Sequence, residues 1–144
     1  MLSKKTRYAI AALVKLAKEY GKGPILIKDI AKSENIPGKF LETILQNLKN
    51  AGIVKSVRGK NGGYYLNQKP EQVNLATIIR LFDPPIAFLP CVTYLYYEKC
   101  DMCRDENTCG VRHTFKEVRD ATVSMLKKAT LAEILRKEAI LKKK

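Results

Sequence analysis

The sequence predicts a mainly α-helical protein with a small β-hairpin wing: a winged helix-turn-helix followed by a long C-terminal dimerisation helix. Three observations carry this. Two short amphipathic stretches joined by a tight turn occupy residues 27–51. A strand, a glycine-rich turn and a returning strand follow at once, over 53–66. Further on, an apolar stripe runs at helical spacing from Val111 to Ala129. A helical hairpin alone is a common pattern, and the hairpin wing directly behind it makes the reading specific.

The first helix covers roughly residues 3–20, with Ile10, Leu13, Val14 and Ala17 on one face. Gly21 and Gly23-Pro24 end it. "ILIKDIAKSENI" then gives a short helix with Ile27, Ile30 and Ala31 inward, and Ser33–Pro37 makes the turn. "GKFLETILQNLKNAG" gives the second helix of the motif, about 38–51. Phe40, Leu41, Ile44, Leu45 and Leu48 form its inner face, and Lys39, Glu42, Thr43 and Gln46 point outward. Gly52 stops it.

"IVKSV" reads as a strand, "RGKNGG" as a turn and "YYL" as the returning strand. Gly62-Gly63 supplies the positive φ that a tight turn requires, and Arg58 and Lys60 ride at the tip. A short helix near 75–82 stops before Pro84-Pro85. Residues 86–110 read as a loop. The long helix that follows repeats Val111, Phe115, Val118, Thr122, Met125 and Ala129 in steps of four and three. One small hairpin cannot cover so extended a stripe, which is therefore read as a dimer seam. "TLAE" at 130–133 matches a capping box and opens a final helix over 131–139, with a solvated, disordered "LKKK" tail. The organisation expected is a DNA-binding domain over 1–83, a cysteine-containing sensor loop over 84–110, and a dimerisation helix with tail over 111–144.

Charge points to the partner. The 144 residues carry 27 Lys and Arg against 14 Asp and Glu, a formal net charge of +13. Residues 1–66 alone hold 13 basic against 4 acidic side chains. An anionic surface bound by the N-terminal half follows, nucleic acid before membrane. The apolar centre of "MLSKKTRYAIAALVKLAKEY" is interrupted by Lys15 and Lys18. It therefore fits neither a signal peptide nor a span of roughly 20 apolar residues, and a cytoplasmic protein is expected.

The cysteines are the other concentrated signal. Cys91, Cys100, Cys103 and Cys109 lie within nineteen residues, and the only histidine, His113, follows. Four thiolates on a short loop could close a tetrahedral zinc site or hold an iron–sulfur cluster, and spacing does not separate the two. A metal-free thiol loop is the third option. "CDMC" lacks the βαβ context of a thioredoxin-like redox motif. No nucleophile–base pair or paired carboxylates stand out, so an enzyme is not expected. A metal-binding or electron-transfer module would not need the basic helix-turn-helix.

"KTRYAIAALVKLA", "IKDIAKSENIPGKFLETILQNLKNAGIVKSVRGKNGGYYL" and "CDMCRDENTCGVRHTFKEVRDAT" together resemble the Rrf2 family of bacterial winged-helix transcriptional regulators. Its members include IscR-, NsrR- and CymR-type proteins. The resemblance implies a homodimer whose long helices cross, reading double-stranded DNA at a pseudo-palindromic operator, most often as a repressor. It places a base-reading glutamate at Glu42 and a minor-groove arginine at Arg58. Lys4, Lys5, Arg7, Lys28 and Lys60 are the expected phosphate contacts, with Lys39, Thr43 and Gln46 beside Glu42 in the major groove. Some members hold an iron–sulfur cluster, [2Fe–2S] or [4Fe–4S], on three cysteines plus one further ligand, and others hold none. Cys91, Cys103 and Cys109 match the cluster-type cysteines. Arg112 stands where one histidine ligand would fall, and Arg7 where an acidic ligand from the partner subunit would fall. Cys100 and His113 are then the candidate fourth ligands, unless the regulator binds zinc or is clusterless.

Overall fold

The computed structural model describes residues 1–144. Six helices are α1 (Lys4–Lys18), α2 (Ile27–Glu34), α3 (Gly38–Asn50), α4 (Leu75–Phe82), α5 (Gly110–Lys128) and α6 (Leu131–Lys142). Two strands, β1 (Val54–Val57) and β2 (Gly63–Leu66), pair antiparallel in the register Val54↔Leu66 to Val57↔Gly63.

Each element of the head starts and stops for a local reason. Ser3 caps α1, its hydroxyl accepting from the Thr6 N–H at 3.2 Å. α2 ends where Asn35 takes the left-handed conformation, φ 53°, which turns the chain sharply into α3. Ile36, inside that turn, is buried and fixes the crossing of the two helices. Leu41, Ile44, Leu45 and Leu48 of α3 meet Ala9, Ala12, Leu13 and Leu16 of α1 and Ile30 of α2 in one core. Ile53, Val54 and Leu66 extend that core under the root of the wing.

The wing turn differs in detail from the sequence expectation. Gly59 and Gly63 carry the positive φ, 109° and 134°, and Gly62 does not. Gly62 is required for space instead: a Cβ there would lie 2.1 Å from the Val57 carbonyl oxygen. At Gly63 a Cβ would lie equally close to the carbonyl oxygen of Ile25, whose backbone bridges Tyr64. The wing is thus stitched to the segment before α2, which fixes its tip relative to the helix-turn-helix.

Phe40 departs from the expected inner face. It is 48% exposed, with its ring edge-on to Tyr8 at 5.9 Å. Tyr8 packs, as its apolar neighbours require.

The C-terminal third divides in two. α5 packs on its own chain through few residues, chiefly Arg119 and Val123. α6 returns to the head: Leu131 is fully buried in the head core, and Lys18 pairs with Glu138 at 3.0 Å. The segment expected as dimerisation helix plus tail therefore packs its last helix against the head. That helix also runs three residues further than the 131–139 expected, to Lys142, so the first half of the "LKKK" tail is helical. Thr130 supplies half of the capping box, accepting from the Glu133 N–H at 3.1 Å. The other half does not form, because the Glu133 carboxylate is bonded to Arg136.

One polar cluster closes the head. Asp83, just past α4, accepts from the Ser3 N–H at 2.8 Å and from the buried Thr6 hydroxyl at 2.6 Å. These bonds, first that from Thr6, hold the Asp83 carboxyl below the usual carboxylate range. A depressed folded-state pKa means stability that is present above the unfolded value, about 3.9, and lost as pH falls through the folded one. Asp83→Asn is therefore expected to lower stability by about 1–2 kcal/mol at neutral pH. The gap from wild type should close in thermal melts as pH falls below about 4.

Candidate DNA interface and cysteine loop

α3 presents Lys39, Glu42, Thr43 and Gln46 to solvent, as amphipathic spacing requires once Leu41, Ile44, Leu45 and Leu48 are buried. Thr43 donates to the Lys39 carbonyl at 3.3 Å and Gln46 to Asn50 at 3.1 Å. Glu42 has no ion-pair partner. A helix with these groups outward can offer donors and acceptors to base edges.

Arg58 and Lys60 are exposed at the wing tip. Lys4, Arg7 and Lys28 are also exposed, while Lys5 is half-buried with its ammonium 5.7 Å from the Phe82 ring. None of these cations is paired with a carboxylate, whereas Lys15, Lys18 and Lys22 all are. The helix-turn-helix and wing therefore carry cationic side chains free to meet phosphate.

The structure brings all four cysteines to one pocket of about 230 Å³ at the start of α5, lined also by Leu89, Met102, Glu106, Val111 and Arg112. All four are free thiols; Cys91 is buried and the others are half-buried. Cys109 is the N-cap of α5, its sulfur accepting from the Arg112 N–H at 3.4 Å. The Cys103 N–H donates to the Cys100 carbonyl at 3.2 Å. Desolvation, a hydrogen bond to Cys109 and the neighbouring thiols push the Cys103 thiol up. His113 is not among the pocket residues; its Nε2 lies 3.0 Å from the Asn107 carbonyl.

Four thiols around one small pocket suit a thiolate-held metal or cluster in kind. They do not converge as a ligand set: no three of the His, Cys, Asp and Glu side chains stand where they could hold an ion.

Two arginines tie this loop to α5: Arg119, which sequence reading misses, and Arg112, which it marks only as standing in a ligand's place. Arg119 is buried, donates to the Val92 carbonyl, pairs with Asp120 at 2.8 Å and lies 4.1 Å from the Tyr94 ring centroid. Arg112 donates to the Cys91 carbonyl at 3.3 Å. Both sit one step round the helix from the apolar stripe, at 112 against 111 and 119 against 118, and that offset is the only sign of Arg119 in the sequence. They clamp the backbone around Cys91 against α5. A buried carbonyl without such a donor costs about 1–3 kcal/mol.

The stripe itself is uncovered. Val111 is 62% and Met125 73% exposed, with Val118 exposed and Phe115 and Thr122 half-buried between them. No helix of the chain is long and apolar enough to cross a membrane.

The family described as Rrf2, iron-dependent transcriptional regulator, matches residues 2–137. An rrf2-like helix-turn-helix regulator of Rhodobacter capsulatus is 38% identical over 138 residues, covering 94% of this chain and 92% of that protein. Among solved structures, CymR of B. subtilis, titled the global cysteine regulator, superposes with a TM-score of 0.77 at 32% identity. That superposition covers 93% of this chain and 95% of the other. T. potens IscR superposes with a TM-score of 0.74 at 28% identity, covering 96% of this chain and 88% of that one.

Proposed function

The chain belongs to the Rrf2 family and is a DNA-binding transcriptional regulator, not an enzyme; from that premise we propose how it reads DNA and what its cysteines do. It acts as a cytoplasmic homodimer joined along the α5 stripe. Two heads read a pseudo-palindromic operator, and repression is the direction of control. The N-terminal turn of α3 enters the major groove, where Lys39, Thr43 and Gln46 meet base edges and backbone. Glu42 accepts from cytosine N4 and repels phosphate, so it contributes specificity rather than affinity. Arg58 enters the minor groove, where narrow A·T-rich sequence concentrates negative potential. Lys4, Lys5, Arg7, Lys28 and Lys60 neutralise phosphates and set register.

The cysteine loop is the sensor, and one observation carries that reading: four thiols share a pocket whose wall is the first turn of the helix that carries the seam. Cys91, Cys103 and Cys109 would hold an iron–sulfur cluster, with Cys100 the available fourth donor. Such a group, when bound, would supply a cross-link between loop and helix. The residues themselves do the coupling. Arg112 and Arg119 transmit any displacement of the Cys91 segment to α5, and α5 sets the spacing of the heads. Half-sites lie about 34–36 Å apart, so small rotations change affinity.

A second reading, a clusterless thiol sensor, is favoured by the four free thiols lining one pocket without converging as a ligand set. Visible absorption of anaerobically purified protein, with iron, sulfide and zinc analysis, separates the two. A brown protein with iron and sulfide means the cluster-bound sensor. A colourless, zinc-free protein that still binds operator means the clusterless sensor. In either case Cys103→Ser is expected to alter operator affinity or its response to oxidant without unfolding the head. Unchanged binding and response would remove the cysteines from the mechanism.

A further inference from the structure

A second cavity lies apart from the cysteines. It measures about 340 Å³ and joins three parts of the chain: the end of α4, the loop segment 93–96 and the flank of α5. This volume lies within the range of small-molecule sites. Its lining includes the ring side chains of Pro84, Pro85, Tyr94 and Tyr96 beside Ile86 and Val123. Two guanidinium groups line it, those of Arg80 and Arg119.

The charges do not balance. The Arg119 guanidinium is bonded to Asp120 at 2.8 and 2.9 Å and is stacked against Tyr94, so its charge is met within the chain. Arg80 is exposed and has no ion pair. With Lys127 beside it and also unpaired, Arg80 leaves positive charge in excess along this cleft. The matching ligand has a planar apolar body and one negative charge, because guanidinium recognises carboxylate through paired parallel hydrogen bonds.

The cleft is also clear of the proposed seam. At 3.6 residues per turn, Arg119 and Val123 lie about 80–160° round α5 from Val111, Val118 and Met125. A partner helix laid along the stripe leaves this flank open.

We propose that the cleft between α4, residues 93–96 and α5 is a binding site for a small planar monoanion of the aromatic carboxylate class, with Arg80 as the group that selects the charge. This goes beyond DNA binding and the cysteine sensor, and its test requires neither.

The probe is benzoate, titrated into the full-length protein and followed by its saturation-transfer NMR signal and by the backbone amide shifts of residues 93–96. Benzyl alcohol, which lacks the charge, and acetate, which lacks the ring, are the controls. Benzoate is expected to saturate with a Kd of about 1 mM, as befits so small a ligand. Both controls should bind at least ~10-fold more weakly, and Arg80→Gln should weaken benzoate about 10-fold. Arg80 is exposed, so the variant should keep the wild-type melting temperature. Benzyl alcohol binding as well as benzoate would overturn the proposal. So would unchanged benzoate binding to Arg80→Gln, or the absence of saturable shifts at 93–96.

Discussion

Met125→Asp is expected to split the dimer and lower operator affinity roughly 10²–10⁴-fold, the advantage that linking two heads confers. Met125 is 73% exposed on the face of α5 that carries Val111, Val118 and Thr122. In a paired seam a carboxylate there would be desolvated with no cation supplied, and an unpaired buried charge is strongly unfavourable. Within one chain the same side chain meets solvent, and α5 is held by Arg119 and Val123 on another flank. The head should therefore melt as wild type while sedimentation reports a monomer. A variant that remains dimeric and binds operator normally would move the subunit contact elsewhere.

Operator binding is expected to fall about 10³–10⁵-fold between 50 and 200 mM salt, for a dimer neutralising 6–10 phosphates. The cations behind this figure are the unpaired ones of the helix-turn-helix and wing. Titration of labelled duplex across that salt range measures the slope. A nearly flat dependence would show that phosphate neutralisation is not what holds the complex. Arg58→Ala separates groove from backbone: the loss should be largest on A·T-flanked sites, and an equal loss on every sequence would make Arg58 a phosphate contact.

The head was legible because its core obeys one period. Leu41, Ile44, Leu45 and Leu48 recur at helical spacing and are all fully buried. Phe40 fits the same period and yet lies exposed, because it falls at the edge of the buried face, where Tyr8 meets it edge-on. Periodicity gives the face and not its margin. The glycine pair in the wing marked the turn, but which glycine needs positive φ and which needs space depends on the carbonyls of Val57 and Ile25. Those are tertiary contacts that local spacing does not reveal. The return of α6 to the head is of the same kind, since Leu131 reads equally well as tail or core until its neighbours are known.

In the candidate site, the sequence marked the cysteines and the stripe, and the structure adds what joins them. Arg112 and Arg119 bond backbone carbonyls in the Cys91 segment, and a carbonyl leaves no trace in a side-chain pattern. Asp83 is legible only as a residue before two prolines until Thr6, 77 positions away in sequence, donates to it. Of the two candidate fourth ligands, His113 lies outside the pocket, while Cys100 lines it.

The account's central claim is a dimer reading a two-fold operator. Sedimentation of the protein with a duplex selected from a random pool tests it most directly, against a scrambled duplex of equal length. Two chains per selected duplex are predicted, on half-sites one helical turn apart or a multiple of that, with binding at least ~10³-fold tighter than to the scramble. One chain per duplex, or equal affinity for both duplexes, would contradict it.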